Sequence, residues 1–144
     1  MRAARTVLMV DDNPADVDLA REALQHARHC RIASVGNGEE ALAFVHRKGI
    51  HSEEPRPDLV ILDLNLPKIH GLLVLGELKS NPELNGIPVV IFSTSRLSQD
   101  VSRSYELGAN GYVNKPGSLH EFLAAVRGIE EYWFGLSSLP QRGE

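Results

Sequence analysis

Asp58-Leu59-Val60-Ile61-Leu62-Asp63-Leu64-Asn65-Leu66-Pro67 is the stretch whose reading decides the fold. Residues 59–62 are all apolar and include β-branched members. A short continuous run of that kind reads as a strand buried on both faces, which is the strand type of a helix-covered parallel sheet. The run ends in a carboxylate, Asp63, at the strand's carboxyl end, where an open α/β sheet keeps its ligand crevice. Asn65 follows two residues on, and Pro67 breaks the strand pattern.

Working outward, the chain repeats this unit. Residues 6–10 form a first β-rich apolar run, ending abruptly in Asp11-Asp12-Asn13-Pro14. Pro14 suits a first helical turn, with Asp12 or Asn13 as the cap. The helix that follows runs to about His26. Val17, Ala20, Leu24 and Ala27 form its apolar stripe, and Asp16, Asp18, Arg21 and Glu22 are expected to face water. Residues 31–35 read as a weaker strand, 39–47 as a helix, and 49–57 as a rather long polar loop. Beyond Pro67, residues 71–80 are a Leu-rich helix stopped by Asn81-Pro82. Residues 89–92 are a fully apolar strand running into Ser93-Thr94-Ser95. A helix over about 98–107 stops at Gly108, which fits a left-handed position. Tyr112-Val113 is a short last strand closed by Asn114-Lys115-Pro116, and a final helix starts near Ser118. Strand then helix, five times over, predicts an α/β doubly wound parallel sheet with right-handed crossovers.

The bulk numbers fit that reading. The 144 residues are one domain of ordinary size, 42% hydrophobic and 24% charged. Such a chain buries roughly 70% of its unfolded surface, enough for a core without staples. A net charge of −4 leaves no basic patch, so nucleic acid is not expected as a direct partner. The single cysteine, Cys30, excludes an internal disulfide and fits a reducing, cytoplasmic setting. The apolar run at residues 7–10 is too short for a signal-peptide core or a membrane span.

Chemistry-bearing residues gather at the strand ends: Asp11 and Asp12, Asp63, Ser93 and Thr94, and Lys115. In a parallel sheet these ends share one edge. In a 2-1-3-4-5 order, the ends of strands one and three adjoin at the switch point and three carboxylates crowd together. Their repulsion is relieved by a divalent cation, and a wet, oxygen-rich edge suits Mg²⁺. Lys115 and the Ser93 hydroxyl face the same spot. The ensemble is equipped to hold phosphoryl oxygens around a carboxylate nucleophile. Taken singly, Asp11 and Asp12 are ordinary caps, Asp63 a turn former and Lys115 a solvated lysine. Their joint occurrence at four strand ends favours the chemical reading.

These residues resemble the receiver domain of two-component response regulators, over about residues 6–127. The resemblance rests on Asp11-Asp12, on Asp63 in Leu-Asp-Leu-Asn-Leu-Pro, on Ser93 in Phe-Ser-Thr-Ser and on Lys115 in Asn-Lys-Pro. It implies the flavodoxin-like (βα)5 fold, with Asp63 as acceptor of a phosphoryl group from a sensor histidine kinase. It implies Mg²⁺ on Asp12, Asp63 and the carbonyl of Asn65, with Asp11 acting through water. It implies that Lys115 contacts the phosphoryl group and that the Lys115–Pro116 bond is cis. Ser93 and Tyr112 would form the switch, with Asn65, Thr94 and Ser95 tuning the rates.

Four departures stand out. Thr94 replaces a small residue and is expected to narrow access to Asp63. The 49–57 loop is long, Gly117 follows Lys115-Pro116, and the last helix runs on into Ile129-Glu130-Glu131-Tyr132-Trp133-Phe134. With Asp-Asp-Asn-Pro-Ala-Asp at 11–16, these features most resemble single-domain regulators that serve bacterial phytochrome-type histidine kinases. That likeness implies a homodimer through the fourth helix, fifth strand and fifth helix, with Tyr132, Trp133 and Phe134 at the interface. The alternative is that these aromatics fold back on the chain's own core. A receiver over 1–134 with a tail at 135–144 leaves no room for an output domain, so output is expected through protein contacts or phosphorelay. Two other readings are a phosphorylation-independent pseudo-receiver and an aspartyl-phosphate hydrolase. The hydrolase wants an acid two residues after its nucleophile, where this chain has Asn65. Independent substrate turnover is not expected.

Overall fold

The computed structural model describes residues 5–27 and 30–140. Five strands alternate with five helices: β1 (Arg5–Val10), α1 (Pro14–Leu24), β2 (Cys30–Val35), α2 (Gly38–Val45), β3 (Leu59–Leu62), α3 (Gly71–Ser80), β4 (Val89–Ser93), α4 (Ser98–Glu106), β5 (Gly111–Asn114) and α5 (Leu119–Glu130). All strand pairs are parallel, in the order β2-β1-β3-β4-β5. The doubly wound sheet expected from the alternation is the one observed.

The apolar runs explain the layering. Successive strand side chains point to opposite faces. Leu8, Val10, Val60, Leu62, Val89 and Ile91 therefore enter one core, which α2 and α3 cover with Ala41, Phe44, Val74, Leu75 and Leu78. Val7, Met9, Leu59, Ile61, Val90 and Phe92 enter the other, covered by α1 and α5 through Ala20, Leu24, Phe122, Val126 and Ile129. Every residue of β3 is buried, as its composition predicted.

Helix boundaries follow local chemistry. Asn13 caps α1, its side chain accepting from the Ala15 and Asp16 amides at 2.9 and 3.4 Å. Of the two candidate caps it is therefore Asn13 that serves, and Asp12 is left free for other work. Ser118 caps α5: its hydroxyl accepts from the Glu121 amide at 3.2 Å and donates to the Glu121 carboxylate at 2.8 Å. Gly108 has φ +104°, the left-handed position expected after α4. The 49–57 connection contains one short 3-10 turn at Gly49–His51, and Glu54 in it pairs with Arg31.

The last helix departs from the sequence reading. α5 ends at Glu130, and Glu131–Leu136 form a π-helical turn. That wider turn carries Trp133 and Phe134 onto the α1/α5 core, where both are half-buried, while Tyr132 stays 52% exposed. Two of the three aromatics thus fold back on the chain itself. The tail is described as far as residue 140, and residues 141–144 lie outside the described residues.

Candidate functional site

The site grows out of strand register. Val10 pairs with Leu62, so the residues that follow, Asp11 and Asp63, leave adjacent strands side by side. Backbone bonds continue the ladder past the strand ends: the Asp63 amide donates to the Val10 carbonyl at 3.0 Å, and the Asp11 amide to Val35 at 3.1 Å. On the other flank Ser93 pairs with Asn114, and the Lys115 amide donates to the Ser93 carbonyl at 2.9 Å. Four chain segments thereby meet at one edge.

Asp11 and Asp63 are buried and Asp12 is exposed, and one carboxylate oxygen from each lies within 4.8 Å of the others. Hard oxygens with one member open to water fit a divalent cation that retains waters. Burial raises the pKa of Asp11, against the lowering effect of its hydrogen bonds with Lys115 and the Asn13 amide. Asp11 Oδ1 accepts from that amide at 2.9 Å and Asp63 Oδ1 from the Asn65 amide at 3.3 Å, which orients each carboxylate.

Lys115 reaches across this group with its side chain only 6% exposed. Its Nζ donates to Asp11 Oδ2 at 2.7 Å, to Asp16 Oδ2 at 2.8 Å and to Asp63 Oδ2 at 2.9 Å. Burial works to lower its pKa, but the three carboxylate bonds outweigh that and hold the ammonium above its ordinary range.

Asp16 corrects the sequence reading, which sent it to solvent. It sits in the first turn of α1, four residues after Asp12, and is half-buried against Lys115. The i, i+4 spacing was the available signal. It was masked because an acid in a first helical turn already has a reason to be there, the helix dipole.

The switch candidates lie on the β4 and β5 ends. Ser93 is fully buried and its Oγ accepts from the Ser95 amide at 3.3 Å. Tyr112 is half-buried and its hydroxyl donates to the Ser95 carbonyl at 2.8 Å. Asn114 Nδ2 donates to the same carbonyl at 2.9 Å, and the Ser95 hydroxyl donates to Asp100 Oδ2. Asn114 and Asp100 were not anticipated. Their contacts depend on where the β4–α4 turn places Ser95; Asn114 reads from sequence only as the residue before Lys115 in Asn-Lys-Pro, and Asp100 belongs to no motif. Thr94 and Asn65 are both exposed, and the Asn65 amide bonds the Asp63 carboxylate. The Lys115–Pro116 bond, expected cis, is trans, and no described residue forms a cis peptide. An X–Pro amide favours trans by about 0.5–1 kcal/mol, so the motif alone does not impose the rarer isomer. Gly117 has open space around it, and nothing in the packing accounts for a glycine there.

Residues 7–127 match the response regulator receiver domain. The chain belongs to that family. Among this receiver's relatives is the response regulator Rcp1 of Synechocystis sp., 40% identical over 137 residues, which are 94% of this chain and 93% of Rcp1. The crystal structure of the phosphorylated cyanobacterial phytochrome response regulator RcpA superposes with a TM-score of 0.94 at 41% identity, covering 96% of this receiver and all of that chain. The Mn²⁺-bound form of Rcp1 superposes with a TM-score of 0.91 at 40% identity, over 95% of this receiver and 99% of Rcp1. The receiver is thus a signalling protein of the response regulator class, closely related to phytochrome response regulators, with an acidic pocket suited to a divalent metal.

Proposed function

We propose that this receiver takes a phosphoryl group onto Asp63 from a sensor histidine kinase, of the phytochrome-linked type, and signals through protein contacts or onward relay. The observation that carries this is the convergence on Asp63 of the Lys115 ammonium, 2.9 Å away, and of the Asp11–Asp12 carboxylates. An Asp63 oxygen attacks phosphorus, the bond from phosphorus to the donor's leaving atom breaks, and an acyl phosphate forms on Asp63. Lys115 offers an N–H to a phosphoryl oxygen. Asp11, Asp12, Asp63 and Asn65 would hold Mg²⁺, which when bound would supply neutralisation of the charge that builds up during transfer. Ser93 and Tyr112 report the outcome to the α4–β5–α5 face, and Thr94 and Ser95 set how readily donor and water reach Asp63. The chain undergoes phosphotransfer without turning over an independent substrate. It works as a receiver over 1–134, in the cytoplasm, with no nucleic acid or membrane as a direct partner. Among the described residues no helix is long and apolar enough to cross a membrane. RcpA, a relative named as a phytochrome response regulator, supports the choice of kinase class.

The test is incubation with acetyl phosphate and Mg²⁺, read as the phosphorylated fraction. Wild type is expected to form a phosphoprotein that Asp63→Asn and chelation both abolish. Steady phosphate release from added esters would instead favour a hydrolase, and no reaction a pseudo-receiver. In the same assay Thr94→Ala is expected to lose its phosphoryl group faster than wild type, and an unchanged rate removes Thr94 from the rate-tuning set.

A further inference from the structure

We propose that Asp16 is a positioning residue that holds the Lys115 ammonium over the site while its other partners are drawn away, a role that rests on Asp63 being the phosphoacceptor. An ammonium has three N–H donors, and here all three are taken, by Asp11, Asp16 and Asp63. Two of these acceptors have a second claimant. Asp11 and Asp63 belong to the carboxylate group that can hold a cation, and Asp63 also gives up an oxygen when it becomes an acyl phosphate. Asp16 lies outside that group. It is the partner of Lys115 whose bond is undisturbed by either event.

The geometry suits a tether. Asp16 stands on the first turn of α1, fixed by the Asn13 cap and led in by Pro14, so its backbone does not depend on the loops that surround the site. Lysine carries its charge on a flexible four-carbon stem and is not self-orienting. β5 sets where Lys115 begins, and Asp16 sets where its nitrogen ends. Without Asp16, the position of Nζ would be fixed only by groups that change partners during the reaction. The nitrogen would then be less often in place to meet the incoming phosphoryl oxygen, and orientation of that kind is a large part of what a protein contributes to phosphoryl transfer.

The experiment compares wild type, Asp16→Asn and Asp16→Glu with Mg²⁺ bound. The first readout is the ¹H–¹⁵N resonance of the Lys115 ammonium, which needs no phosphorylation. It is expected to be slowly exchanging in wild type, lost in Asp16→Asn and recovered in Asp16→Glu. The second is the rate of phosphorylation by acetyl phosphate, expected to fall roughly tenfold in Asp16→Asn, the size usual for losing a group that orients another. The Mg²⁺ midpoint is expected to move less than the phosphorylation rate in Asp16→Asn, because Asp16 is not a member of the cation-binding set. A persisting ammonium resonance or a wild-type rate in Asp16→Asn overturns the proposal. So does a large loss of Mg²⁺ affinity, which would make Asp16 a metal ligand. Were wild type not phosphorylated at all, the reading of Asp63 would fail, and the resonance would still decide the tether.

Discussion

At the scale of single residues, position in the sheet decides which side chains are reactive. Asp63 and Cys30 both belong to strands or their ends, yet their surroundings differ. The Cys30 thiol is pushed up to about 11 by burial first, then by the negative charges of Glu130 and Asp58. The charged form is the nucleophile, so raising the pKa removes reactivity at neutral pH. Against an ordinary thiol, the thiolate fraction near pH 8 is expected to be roughly 100-fold lower. Alkylation by iodoacetamide, followed by mass spectrometry, should therefore be slow at pH 8 and accelerate with each step toward pH 11. A rate at pH 8 equal to that of the unfolded chain would contradict the assigned environment. Placement could be read from sequence where a residue closes its strand, as for Asp63 and Lys115, whose side chains meet at 2.9 Å. It could not for Asp16, because an acid at a helix start has an ordinary explanation that hides a tertiary one.

At the scale of elements, the β3–α3 connection is the part of the site with least slack. The Gly71 amide donates to the Leu64 carbonyl at 2.9 Å, which brings the start of α3 against the segment carrying Asp63. A methyl group on Gly71 would collide with the Asp63 carbonyl and come within 2.6 Å of the Leu64 Cα. These are backbone atoms, so relief requires moving the strand end itself. Gly71→Ala is expected to destabilise the fold by about 1–3 kcal/mol, as overpacking does. It should also slow phosphorylation of Asp63 by displacing it. A urea melt with an unchanged midpoint would show that the connection yields. From sequence, Gly71 read only as the first residue of a helix. The five strands themselves were legible because burial on both faces demands unbroken apolar runs. Helix ends were legible wherever a capping side chain or glycine marked them. The π-helical turn after α5 was not, since no local residue specifies it and its reason is the seating of Trp133 and Phe134 on the core.

At the scale of the whole molecule, the distribution of exposed apolar surface points to where a second copy would sit. β5 is an edge strand of the sheet. An apolar groove runs beside it, lined by Val113, Ala125, Ile129, Tyr132 and Trp133. An unpaired edge next to exposed aromatic surface is the kind of feature proteins cover with a partner. We expect a homodimer through α4, β5 and α5, with Tyr132 contributing more than Phe134 because it is the more exposed. Sedimentation velocity across micromolar concentrations should show a dimer that Tyr132→Asp converts to monomer. A wild type that stays monomeric throughout would leave the aromatics a purely internal role.

The pocket that sets four carboxylates, those of Asp11, Asp12, Asp16 and Asp63, around the single ammonium of Lys115 also imposes a sequence in time. Before any phosphoryl group arrives, the site is already anionic, and an incoming phosphate meets repulsion it cannot neutralise by itself. The cation is therefore expected to come first and the phosphoryl group second. Chelation tests that order by leaving the donor present and the door shut. For the proposed transfer to Asp63, two conditions arriving in a fixed order, cation and then phosphoryl donor, are therefore expected to stand behind each signal.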